Sequence, residues 1–158
     1  MCIRDSWRSR KVDICVARIF NTYGPNMHQN DGRVVSNFIC QAISKKPLTI
    51  YGEGNQTRSF CYVNDLVDGL YKLMESNLIG PVNLGNPDEM TILNLAKLVK
   101  EKLNQNIEII HKPLPKDDPK QRKPDITLAK EGLEWTPKVG LERGLEKTIA
   151  YFNKVIKL

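Results

Sequence analysis

The sequence has 158 residues, 41% hydrophobic and 27% charged, the balance of one folded domain that can bury about 70% of its unfolded surface without disulfide staples. No run of about 18 apolar residues occurs and Met1 to Ser6 holds no apolar h-region, so neither a membrane span nor a secretory signal is expected. The formal charge of +6 does not point to nucleic acid: the nine Lys and Arg between Lys97 and Lys130 are interrupted by five Asp and Glu, and no aromatic residue is interleaved as a stacking platform.

Val12 to Phe20 is β-branched and almost continuously apolar, which predicts a strand buried on both faces of a helix-covered parallel sheet. Asn21 to Gly32, rich in Gly, Pro, Asn and Asp, predicts a loop. Val34, Val35, Phe38, Ile39 and Ala42 recur at helical spacing, so a helix is expected from Arg33 to about Lys45, where Lys45 and Lys46 suit its C-terminus and Pro47 ends it. Leu48 to Tyr51 reads as a short strand entering the polar turn Gly52 to Arg58. Phe60 to Val63 should be extended, and Asn64 or Asp65 can cap a helix whose Val67, Leu70, Tyr71 and Met74 form one stripe. Pro81 to Leu84 is expected as another strand, and Thr91 as the cap of a helix carrying Ile92, Leu95, Val99 and Leu103 on one face. Ile107 to Ile110 is β-rich, His111 to Lys123 is a loop stiffened by Pro113, Pro115 and Pro119, and Asp125 to Leu133 is a short helix. Leu141, Leu145, Ile149, Phe152 and Ile156 mark a last amphipathic helix. Strand–helix alternation followed by a mostly helical half makes this an α/β chain. Cys2, Cys15, Cys40 and Cys61 form no C-x-x-C pair, which argues against a zinc site or redox dithiol and for a reducing, cytoplasmic setting; two of them fall within apolar runs as small hydrophobes.

Five stretches carry a resemblance: Arg18 to Pro25 (RIFNTYGP), Asn30 to Phe38 (NDGRVVSNF), Pro47 to Arg58 (PLTIYGEGNQTR), Val82 to Pro87 (VNLGNP) and Asp117 to Asp125 (DDPKQRKPD), followed by Trp135-Thr-Pro137. Together they resemble the extended short-chain dehydrogenase/reductase family of the NAD-dependent epimerase/dehydratase type, whose members act on nucleotide sugars. The likeness runs from about Val12 to the C-terminus. The second and fifth stretches point to the branch that decarboxylates UDP-glucuronate to UDP-xylose. That resemblance implies the C-terminal part of a Rossmann-type NAD(P)-binding fold plus a small mixed α/β substrate-binding domain. It also implies a closed redox cycle: NAD takes a hydride from C4, the 4-keto sugar acid loses carbon dioxide, and protonation at C5 with return of the hydride gives UDP-xylose. The partners implied are a UDP-sugar and, in the full-length relatives, a second copy of the chain.

Residue by residue, the resemblance sets Asn21 near the substrate diphosphate and Thr22, His28 and Arg33 along the NAD site. Asn21 alone would also suit a turn, and His28 alone a surface loop. Arg33 could be a helix-entry residue, although the helix dipole disfavours a cation there. Tyr51, Gln56 and Arg58 match the wall that receives uridine and its phosphates, where a Tyr ring can lie on a flat base and Arg offers phosphate a planar fork; the alternative is a surface hairpin. Arg122, in the Pro-stiffened loop, is expected to reach the sugar nucleotide, with Lys120 and Lys123 solvated beside it. Trp135 is expected to pack in the core or against a loop.

Two family features have no match here. Gly52-x-Gly54-x-x-Thr57 lacks the third Gly of a dinucleotide turn and opens no βαβ unit. The family's base is a Tyr followed four residues later by Lys, whereas Tyr23, Tyr51, Tyr62, Tyr71 and Tyr151 are followed by Met27, Asn55, Leu66, Glu75 and Val155. The expectation is therefore the C-terminal portion of the enzyme over residues 12–158, preceded by a leader or helix remnant over 1–11, and inactive by itself. Alternatives are another nucleotide-sugar epimerase or 4,6-dehydratase of the family, or a non-catalytic UDP-sugar-binding module.

Overall fold

The computed structural model describes residue 9 and residues 13–103, 106–115 and 119–156. The leader or remnant expected over 1–11 lies, Ser9 apart, outside the described residues. Nine short strands and five helices alternate along them. β1 (Ala17–Ile19) runs parallel to β6 (Val82–Leu84), and Phe20 N donates to Leu84 O at 3.0 Å to prolong the ladder. The strand expected over 12–20 is thus shorter, and it is not buried on both faces: Arg18 is exposed and Ile19 is 58% exposed. The reason is that β6 is the only strand paired with β1 among the described residues. β2 (Thr22–Tyr23) pairs in parallel with β5 (Cys61–Tyr62), so the predicted loop opens with a strand.

Helix α1 (Val34–Ile43) buries Val35, Phe38, Ile39 and Ala42 as its spacing requires, and it ends where Lys45 takes a left-handed φ of 55° before Pro47. β3 (Leu48–Tyr51) then pairs in parallel with β8 (Ile109–Lys112), two residues of which fall in the stretch expected to be loop. Helix α2 occupies Val63–Met74. Helix α3 (Ile92–Lys102) starts on Thr91, whose Oγ1 accepts the Asn94 amide at 3.1 Å, as expected of a capping threonine. With α5 (Leu141–Ile156), α1 and α3 enclose β3. Leu48, Ile50, Leu95, Val99, Leu145 and Phe152 are fully buried there, each worth roughly 1.5–3 kcal/mol of transfer free energy.

A second core lies between α2, β6 and helix α4 (Thr127–Leu133). It closes over Trp135, 1% exposed, whose Nε1 donates to Asp65 O at 3.0 Å. Here the helix face is corrected. Leu66, Gly69 and Leu73 are buried, while Val67, Tyr71 and Met74 of the expected stripe are 57–62% exposed. Neither Asn64 nor Asp65 caps α2: the residue before it, Tyr62, makes no side-chain cap bond, and the Asp65 carboxylate instead accepts the Val139 amide at 2.9 Å. That bond ties the segment entering α5 to α2.

The turn and loop segments supply a further sheet. β4 (Thr57–Ser59) lies between β7 (Glu89–Thr91), antiparallel to it, and β9 (Gln121–Arg122), parallel to it. Non-local pairing gives strand geometry to residues that have little β propensity of their own.

Candidate functional site

A cleft of about 630 Å³ opens between α1, the ends of β3 and β8, and the β7–β4–β9 sheet. Phe38 and Phe60, both buried, and Ile92 make its apolar floor. Asn21 and Thr22 enter from the first crossover, Tyr51 from the end of β3, Arg58 from β4 and Arg122 from β9. Gln56 is held by its own turn: Nε2 donates to Tyr51 O at 2.9 Å. Gly54 allows that turn, since its φ is 77° and a Cβ there would stand 3.1 Å from both Ile50 and Leu93 side-chain atoms. All five residues expected on the substrate side therefore line one cleft.

Arg33 lies at the mouth of α1, where Asp31 offsets the dipole misfit. Asp31 Oδ1 accepts the Arg33 amide at 3.0 Å and the Ser36 hydroxyl, and Arg33 Nε stands 3.7 Å from Asp31 Oδ2. Arg33 Nη1 donates to Thr22 O at 3.3 Å, tying α1 to β2. Thr22 and Arg33 also line a neighbouring hollow of about 520 Å³, and His28 lines that hollow rather than the cleft. Its Nδ1 accepts the Asn30 amide at 3.2 Å. The three residues expected on the cofactor side thus share this second hollow.

Four cationic side chains, Arg33, Arg58, Lys112 and Arg122, line the cleft, and no Asp or Glu does so among the described residues. Concave walls of one sign concentrate field lines, so the cleft suits a polyanion with a flat apolar end. Lys112 was missed in the sequence. Extending the β-rich run by two residues would have set it opposite Tyr51, its register partner across β3 and β8. Gln41 and Thr49 were missed as well: Gln41 Nε2 donates to Thr49 Oγ1 at 3.3 Å and its Oε1 accepts the Thr49 amide at 3.1 Å, so the cleft wall arrives pre-ordered.

Two buried groups near the hollow, Tyr23 and Cys61, are held in their protonated forms. Burial, with the nearby Cys61 thiol as a smaller cause, holds the Tyr23 phenol well above its usual range. Burial, and then the Asp65 charge, pushes the Cys61 thiol up to about 12.

A profile of the NAD dependent epimerase/dehydratase family matches residues 1–85. The chain is 55% identical over 150 residues to UDP-glucuronic acid decarboxylase 4 of Arabidopsis thaliana, covering 95% of this chain and 34% of that protein. It is 56% identical over 146 residues to UDP-glucuronic acid decarboxylase 1 of Xenopus tropicalis, covering 92% and 35%. It spans about a third of the length of these curated relatives. Among solved structures, UDP-glucose 4-epimerase of Thermotoga maritima, with UDP-glucose, superposes with a TM-score of 0.92 at 33% identity, covering 98% of this chain and 50% of that one. UDP-glucuronic acid 4-epimerase of Bacillus cereus, in complex with UDP-glucuronic acid and NAD, gives 0.88 at 28% identity, covering 96% and 49%.

Proposed function

The chain belongs to the NAD dependent epimerase/dehydratase family, and on that premise we propose that it is the substrate-binding portion of a UDP-glucuronate decarboxylase. The observation that carries this is the convergence of Asn21, Tyr51, Gln56, Arg58 and Arg122, from separate elements, on one cleft lined by cations and free of carboxylates among the described residues. UDP-glucuronate presents a diphosphate and a carboxylate beside a flat pyrimidine, which is the charge and shape complement of such a cleft. Tyr51, 46% exposed at a strand end, offers its ring to the base, while Arg122 offers a fork to the anionic groups and Arg58, buried with Nη1 on Thr57 O at 2.7 Å, adds a fixed positive charge. Likeness to decarboxylases, together with the Asn30–Arg33 and Asp117–Asp125 stretches, supports the decarboxylating branch over a 4-epimerase or 4,6-dehydratase.

The family's cofactor meets fitting groups in the second hollow: Thr22, His28 and Arg33 offer a hydroxyl, an imidazole and a cation. These residues would hold one side of NAD, which when bound supplies reversible acceptance of a hydride. The chain's own work there is to bind and orient. Because no Tyr in the sequence has a Lys four residues on, we propose that the chain binds substrate without turning it over. Residues 12–158 as one substrate-binding portion, a cytoplasmic setting and a homodimeric full-length protein complete the proposal; no described helix is long and apolar enough to cross a membrane.

Titration calorimetry on the chain tests the reading. UDP-glucuronate should bind at least about fivefold more tightly than UDP-glucose, because the extra carboxylate meets fixed cations. Equal binding of ADP and UDP, or no binding of either, would remove the assignment. Labelled carbon dioxide released above a heat-killed control would overturn the claim that the chain alone is inactive.

A further inference from the structure

We propose that Glu89 is a positioning residue of this cleft: its carboxylate clamps the edge strand β9 against β4 and so fixes where Arg122 stands. The inference rests on reading the cleft as a nucleotide-sugar site and adds a residue that no cleft-lining pattern reveals.

β9 has only two residues and lies at the edge of its sheet. Thr57 N donates to Lys120 O at 3.0 Å, and Ser59 Oγ to Arg122 O at 3.3 Å. Arg58 and Arg122 are direct register partners, so the placing of Arg122 beside Arg58 depends on how β9 is held to β4. Glu89 holds it from the other face. It sits on β7 opposite Ser59, and its carboxylate reaches diagonally across β4. Oε1 accepts the Thr57 hydroxyl at 2.7 Å; Gln121 Nε2 donates to Oε1 at 2.7 Å and to Oε2 at 2.9 Å; Lys123 Nζ stands 3.6 Å from Oε2. One carboxylate therefore joins all three strands. Side chains alternate along a strand, so Thr57 and Gln121 turn to Glu89 while Arg58 and Arg122, one residue further on, turn to the cleft. The donated bonds from Gln121 and Thr57 also hold the Glu89 carboxyl below the usual range, so it is charged at neutral pH.

The test compares wild type, Glu89→Ala, Gln121→Leu, their double variant and Arg122→Ala in the 158-residue chain. It reads UDP affinity by calorimetry, backbone amide exchange over residues 119–123 and in β3, and the melting midpoint. Glu89→Ala should weaken UDP about tenfold and speed exchange over 119–123 by a similar factor, leaving β3 protected. Gln121→Leu should do the same, and the double variant should be no worse than either single one, because the groups act as one unit. Unchanged affinity together with unchanged exchange in Glu89→Ala overturns the proposal. So do multiplying losses in the double variant, or exchange rising equally in β3, which marks a merely structural role. If Glu89→Ala fails to fold, Gln121→Leu decides on the same criteria. If wild type binds no UDP, the cleft reading fails by itself, and the exchange comparison still decides whether Glu89 clamps β9.

Discussion

Arg122 is the residue on which the substrate reading turns most directly. A charge-assisted contact to phosphate or carboxylate contributes about 1.5–3 kcal/mol, so Arg122→Ala should weaken UDP-glucuronate binding by roughly 10- to 150-fold in calorimetry. Arg122→Lys keeps the charge but loses the planar fork and should recover only part of that affinity. Lys123 is half-exposed and its Nζ pairs with Glu89 at 3.6 Å, so Lys123→Ala should change affinity by no more than about twofold. If Lys123→Ala proves the damaging change and Arg122→Ala is silent, the match to the family stretch is off by one residue. Thiol chemistry offers a second check at this scale. Peptide mapping after brief maleimide treatment at pH 7 should find exposed Cys15 labelled and Cys61 untouched, since burial holds the Cys61 thiol protonated. Two cysteines were expected as small buried hydrophobes, and among those described only Cys61 is fully buried. The cleft residues were legible because they stand in contiguous motifs such as PLTIYGEGNQTR. Glu89 and Lys112 were not, because their roles rest on contacts with segments distant in the chain: Glu89 meets Gln121 across 32 positions, and Lys112 stands opposite Tyr51.

Helix α5 is placed by a close approach that its hydrophobic pattern does not reveal. Gly144 packs against the buried Tyr23 ring, whose hydroxyl donates to Leu141 O at 3.2 Å, and a Cβ at Gly144 would run into that hydroxyl and lie 2.7 Å from Cζ. Ala in a free helix is better than Gly by about 1 kcal/mol, yet here overpacking should dominate at about 1–3 kcal/mol. Gly144→Ala is therefore expected to lower the melting midpoint by roughly 3–10 °C in calorimetry; an unchanged or raised midpoint would mean Tyr23 yields freely. Helix α4 supplies a pH-dependent counterpart. Asp125 Oδ1 accepts the Thr127 amide at 2.9 Å, and this bond holds the Asp125 carboxyl below the ordinary aspartate range. A carboxyl depressed on folding stabilises the fold above its unfolded value, near pH 4, and that stability is lost as pH falls through the lower folded value. Asp125→Ala should lower the midpoint at pH 7 and flatten its decline below about pH 4; an acid limb identical to wild type would count against a stabilising role for this turn bond. Periodicity found α1, α2, α3 and α5 because each has an apolar face at helical spacing. It misplaced Val67, Tyr71 and Met74, though not Leu70, which packs on the second core, because α2 also carries Leu66 and Leu73 beside that stripe and spacing cannot rank the two. The two- and three-residue strands β2, β4, β7 and β9 escaped notice because pairing rather than propensity makes them.

For the whole molecule, three of the four α2 residues that periodicity assigned to the core are left to solvent. Val67, Tyr71 and Met74 of α2 are 57–62% exposed, and Ile19 and Ile79 are 58% and 59% exposed. Ile19 ends β1, which pairs with β6 alone among the described residues, and Ile79 O accepts the Val16 amide at 2.8 Å just before β1 begins. Side chains of this size exposed beside an open strand edge form the kind of surface that drives self-association. The chain should therefore elute from gel filtration as concentration-dependent oligomers and bind a hydrophobic dye, while UDP still reaches the cleft, none of whose lining residues comes from α2. Replacing Val67, Tyr71 and Met74 by Gln, Lys and Glu removes apolar surface without touching Leu66, Gly69 or Leu73 beneath. That triple variant should shift the elution towards the monomer, quench the dye signal and leave UDP affinity within about twofold of wild type. A wild-type chain that elutes as a sharp monomer with a cooperative melt would show that the exposed stripe is tolerated, and would favour a self-sufficient UDP-sugar-binding module over a portion of a larger enzyme. Association that persists unchanged in the triple variant would move the sticky surface from α2 to the β1 edge, where Ile19→Lys is the next substitution to make.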